Sequence, residues 1–163
     1  MSSSASKRRW PLLALGLGIA LLVSLGIVGE AQRRAIAQKH AYDALWTIAQ
    51  ASLDYIRETG RVPTDVDVLV KSGLLQRDSS AGMLLPVVPG RYKPIMSRYA
   101  EQTTLHFPAS AADYSLSEGV VSRNGSGEPL TVVTCEDLDA TSAAYANREI
   151  AKDWYLIMTA KRE

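Results

Sequence analysis

From Pro11 to Gly29 the sequence runs 19 residues without a charged side chain. As a helix this stretch is about 28 Å long, close to the roughly 30 Å hydrocarbon core of a bilayer. Leu12, Leu13, Leu15, Leu17, Ile19, Leu21 and Leu22 give it an apolar surface. Gly16, Gly18, Gly26 and Gly29 are tolerated there because lipid offers the backbone no better partner than its own helix. Trp10 stands at the entry edge, where an indole prefers the interface. Lys7-Arg8-Arg9 is a tight cationic cluster near one end, whereas Arg33, Arg34 and Lys39 are spread out behind Glu30 at the other. This asymmetry predicts a cytoplasmic tail over 1–10, a transmembrane helix over 11–29 and an exported domain over 30–163. The chain would then cross a bacterial inner membrane once, with its C-terminal domain in the periplasm. A cleaved signal peptide is the alternative, since Gly29 and Ala31 supply the small residues of a cleavage site. An apolar signal region usually runs roughly 7–15 residues, and the greater length here favours a retained anchor. A third reading makes the stretch a buried helix of a cytoplasmic protein.

Composition narrows the function classes further. Lys and Arg total 18 against 17 for Asp and Glu, leaving a net charge of +1. That balance argues against a broad basic face, so nucleic acid is not an expected partner. A 47% apolar and 21% charged composition is that of a globular chain. One cysteine, Cys135, excludes an internal disulfide framework and a multi-cysteine zinc site.

Between Glu30 and Thr59 there is no proline or glycine. Tyr42, Leu45, Ile48, Ala49, Leu53 and Ile56 recur at spacings of three and four, the period of one buried helical stripe. Ala41 and Trp46 widen it, and Asp43, Thr47, Gln50, Asp54 and Arg57 fall on the opposite face. Gly60 is placed for a left-handed C-cap and Pro63 follows, so the helix is predicted over 30–59. Thr64-Asp65-Val66-Asp67 reads as an N-cap for a short helix that stops at Gly73. Residues 79–82 and 86–90 read as loops. The sheet region is predicted over 90–163, with strands at 92–99, 103–107, 114–122, 130–135 and 154–159, and a helix at 139–153. Pro94 demotes the first strand to an edge or a broken one, and 123–129 is a strong turn. The predicted class is α+β: a long N-terminal helix, membrane-spanning in its first part, packed on a small antiparallel sheet.

Over about 12–75 this arrangement resembles the type IV pilin-like proteins and the pseudopilins of type II secretion. The resemblance rests on an N-terminal span running into the amphipathic segment 44–56. It continues in Arg57-Glu58-Thr59-Gly60-Arg61-Val62-Pro63-Thr64, similar to the pseudopilin Gly-Arg-aromatic-Pro-Thr pattern, and in 67–75 with its closing Gly73-Leu74. Asp113-Tyr114-Ser115-Leu116 followed by Asn124-Gly125 is faintly similar to a pseudopilin sheet segment. The span opens Trp10-Pro11-Leu12-Leu13, so the resemblance does not extend to the family's prepilin processing site or its assembly Glu. It implies a structural subunit whose partners are the lipid bilayer and copies of itself or other pilin-like subunits. Helix packing and assembly would use Gly16, Gly18, Tyr42, Leu45, Ala49, Leu53 and Ile56. Burial of the stripe against the chain's own sheet is the competing reading.

No motif spells out a reaction, and no enzymatic activity is expected: catalytic groups are not paired, and no serine sits in a Gly-x-Ser-x-Gly elbow. Glu136, Asp137 and Asp139 form the densest acidic cluster and are the candidate ligands of a calcium ion, the only cofactor considered. Related pseudopilins carry calcium in a C-terminal loop; the alternative is a helix N-terminus that favours acids. Cys135 beside Val132 and Val133 reads as a small buried hydrophobe, and His106 as an outward strand residue. A signal-anchored envelope protein with a soluble binding domain that never polymerises is the alternative function, and a secreted enzyme the weakest.

Overall fold

Helix α1 (Trp10–Thr59) ends as its sequence dictates. Gly60 takes a φ of 73° and donates its N–H to Ile56 O at 2.9 Å, closing the last turn in the left-handed conformation that glycine adopts without strain. The computed structural model describes residues 24 and 26–160 in full, and for 10–23 and 25 only the helical backbone. Most of the expected span 11–29, with the side-chain surroundings of Gly16 and Gly18, thus lies outside the fully described residues. Among the described residues no helix is long and apolar enough to cross a membrane. The chain divides into two units, Met1–Ala37 and Gln38–Glu163.

The second unit is α+β with small antiparallel sheets. Helix α2 (Val66–Lys71) starts at Asp65, whose carboxylate accepts the Val68 N–H at 3.0 Å. Strands β1 (Leu75–Asp78) and β2 (Met83–Pro86) form a hairpin that pairs Leu75 with Pro86 and Asp78 with Met83. Asp78 tightens its turn by accepting from Ser80 and Ala81 N–H. Strand β3 (Ile95–Met96) adds to β2, and helix α3 (Ser97–Glu101) follows at once. Strand β4 (Thr103–Leu105) pairs with β7 (Val133–Cys135), and β5 (Tyr114–Ser117) with β6 (Val120–Arg123). Helix α4 (Ala140–Ala160) ends the described chain and packs on β6 and β7.

Several expectations are corrected here. The sheet region begins at Leu75, not near residue 90, and is three small sheets rather than one. The expected strand 92–99 keeps only Ile95 and Met96, because Pro94 carries no amide hydrogen and the chain turns into α3. The expected strand 114–122 is folded at Glu118-Gly119 into a hairpin. Residues 154–159, expected as a strand, are the last turns of α4. Their apolar run continues the stripe Ala146, Ile150, Ala151 and Trp154, spaced by three and four, so burial on one helix face overrides strand propensity.

The core joins Leu45, Ile48, Leu53 and Ile56 of α1 to Leu69, Leu75, Leu84, Val121, Ile150 and Trp154. Asn147 is the polar centre of this core at 5% exposure. Its Oδ1 accepts the N–H groups of Val132 (2.7 Å) and Val133 (2.9 Å), and its Nδ2 donates to Val133 O (2.7 Å) and Ala143 O (3.0 Å). One amide thereby serves the backbone of β7 and its approach, where the two-stranded sheet offers no further strand.

Candidate functional site

Two features of the chain face outward in a way its own packing does not explain. The first is the described part of α1 in the first unit. Ile27, Val28 and Ile36 are 65%, 55% and 58% exposed. Gly26 and Gly29 lie among them, and a Cβ at either would meet nothing within 4 Å. Glu30 and Arg34 are bridged at 3.1 Å one helical turn apart, an exposed pair that contributes little to stability.

The second feature lies wholly within the second unit, where residues 91–93 are pinned along α1. Asp43, Thr47, Gln50 and Asp54 recur at spacings of four, three and four, so one polar stripe of the helix faces this segment. Lys93 Nζ reaches Asp43 Oδ1 at 2.7 Å, and Thr47 Oγ1 donates to Lys93 O at 3.2 Å. The Tyr92 hydroxyl donates to Asp54, and Arg91 bridges the same carboxylate at 3.0 Å. Arg57 holds the other Asp54 oxygen at 2.7 Å. Burial pushes the Tyr92 phenol well above its ordinary 10.0, and its hydrogen bond to Asp54 adds to the shift. Beside these contacts lies a cavity of about 250 Å³ lined by Tyr42, Trp46, Thr47, Gln50, Tyr92 and Lys93. The rings of Tyr42 and Trp46 meet edge to face, with centroids 6.2 Å apart. Across the 91–93 rim a shallower groove of about 660 Å³ continues over Gln76, Leu85, Pro86 and Pro89.

The expected assembly residues divide. Leu45, Ala49, Leu53 and Ile56 are fully buried in the domain's own core, and Tyr42 is half-buried at the cavity. Their packing is intramolecular, and the exposed apolar residues of α1 in the described part lie before Ala41. The polar face opposite the stripe is largely used: Thr47 is buried, and Asp43 and Asp54 hold the 91–93 segment. Glu136, Asp137 and Asp139 do not come together as a metal-binding group; among the described residues no three His, Cys, Asp or Glu side chains do. Asp139 instead caps α4, accepting from Thr141 N–H (3.1 Å) and Ser142 N–H (3.0 Å), which lowers its pKa below 3.8. Cys135 is buried, and burial pushes its thiol up, away from the reactive thiolate. His106 is exposed and meets Thr134 Oγ1 at 3.2 Å. His40 stacks on Tyr99 with centroids 5.9 Å apart. The sequence reading missed the role of Asp54 and of 91–93. The signal was there in the periodic 43, 47, 50, 54 stripe, but its partner lies 38 residues away from Asp54.

Compared with known proteins, the chain matches no family model, no curated protein and no solved structure.

Proposed function

We propose that this chain is a membrane-anchored, pilin-like structural subunit of a bacterial envelope secretion or filament system, acting through helix packing. The supporting observation is the division of labour along α1. The apolar stripe Leu45, Ile48, Ala49, Leu53 and Ile56 is spent on the domain's own core, while Ile27 and Val28, at the end of the uncharged stretch 11–29, and Ile36 beyond it remain exposed. Small residues at 26, 29, 31 and 35 leave room for a neighbouring helix to approach closely. Cysteines placed at Ile27 and Ile36, in a Cys135→Ser background, test this in cells. A crosslinked ladder of copies supports the subunit reading. Monomers alone at both positions refute it.

The second reading is a signal-anchored envelope protein that does not polymerise and whose domain binds a ligand. The cavity beside Trp46 and Tyr92, with walls fixed by hydrogen bonds, favours it.

A further inference from the structure

We propose that the cavity between α1 and residues 91–93 binds an uncharged saccharide. The inference is independent of the anchoring and packing role; it rests on the second reading, that this cavity binds a ligand, and names the ligand's class.

Charge comes first. Both cations at the rim already meet a carboxylate of the same chain: Lys93 meets Asp43 at 2.7 Å, and Arg91 meets Asp54 at 3.0 Å. With each cation already paired, an anion gains little from either charge. A hydroxyl can donate to a carboxylate and accept from a cation without displacing either, so the site is matched to a neutral polyol.

Shape and surface agree with that. Tyr42 and Trp46 set two ring planes at 65°, and Tyr92 lines the same cavity. Sugar rings carry C–H faces that lie against aromatic rings and a rim of hydroxyls that needs polar partners. Two lining residues are uncommitted: the Gln50 amide and the Trp46 indole N–H have no hydrogen-bond partner among the described residues. At about 250 Å³ the cavity is smaller than the roughly 300–1,000 Å³ of sites for drug-sized molecules, which suits a single sugar ring. The groove across Arg91, Tyr92 and Lys93 gives the next ring somewhere to lie. Four hydrogen bonds between 91–93 and α1 fix the wall in advance, so little ordering is needed on binding.

The test uses the full-length chain in dodecylphosphocholine, because a sugar-headed detergent would itself compete. It is titrated calorimetrically with triacetylchitotriose and with maltotriose. Saturable binding of at least one, with a Kd of about 1 mM or tighter, is expected. Trp46→Ala should weaken it about tenfold or more. Gln50→Ala should weaken it about threefold or more while leaving the near-ultraviolet spectrum unchanged, and Ile36→Ala should leave the affinity as it was. The proposal is overturned if neither saccharide binds, if binding survives Trp46→Ala and Gln50→Ala undiminished, or if a sulfated disaccharide or hexaglutamate binds more tightly than both.

Discussion

Replacing Asn147 by alanine should be among the most damaging single changes in the described domain. The side chain is 5% exposed and makes four hydrogen bonds. Its loss strands the Val132 and Val133 N–H groups and removes a donor from Val133 O. The Ala143 carbonyl, inside α4, retains the helical N–H of Asn147. Leaving a buried polar group unmade costs about 1–3 kcal/mol. With two stranded donors, and water partly relieving the carbonyl, the expected loss is roughly 3–5 kcal/mol. Against a typical domain stability of about 5–15 kcal/mol this is a large fraction. Urea unfolding of residues 38–163 provides the assay, followed through the fully buried Trp154, whose ring stands edge-on to Tyr114 at 5.6 Å. Asn147→Leu, which keeps the branching at Cγ in a larger side chain, should be at least as damaging, since the backbone donors are still left bare. A loss below about 1 kcal/mol for both variants would show that the strand finds other partners, and the reasoning would fail.

Other expectations concern pH and packing. The Tyr92 phenol has a raised pKa when folded, so its contribution is complete below the ordinary 10.0 and is lost as pH rises from there through the folded value. Base titration of stability should therefore fall more steeply for the natural chain than for Tyr92→Phe; parallel curves would contradict this. Asp139 has a lowered pKa, so its contribution is present above 3.8 and lost as pH falls below that value toward the folded one. Asp139→Ala should lower Tm at neutral pH, Asp139→Asn should largely restore it, and only the natural chain should lose that increment in acid. Leu53→Ala should cost the domain about 2–5 kcal/mol by opening a core cavity, whereas Ile36→Ala in the full-length chain, at 58% exposure, should leave the domain's urea midpoint unchanged.

Local chemistry was the readable part of this sequence. The stop of α1 at Gly60, the Asp65 cap and the turn over 123–129 follow from residues that act on their immediate neighbours. The buried stripe Leu45, Ile48, Ala49, Leu53 and Ile56 followed from helical spacing. The β1–β2 hairpin was not legible, because Leu75–Asp78 and Met83–Pro86 are four residues each and too short to show a period. Trp154–Thr159 misled because a short apolar run fits either a strand or a helix. Arg91, Tyr92 and Lys93 became meaningful only once the fold laid them beside Asp43 and Asp54. No local pattern encodes a contact across that distance. The candidate saccharide site was invisible for the same reason, since half of it lies on α1 and half on the 91–93 segment.

Extraction of bacterial membranes carrying the full-length chain with alkaline carbonate tests the central claim most directly. An anchored chain stays in the pellet with the vesicles. Recovery of the intact chain in the supernatant would contradict the anchor and, with it, any role that depends on packing beside the membrane.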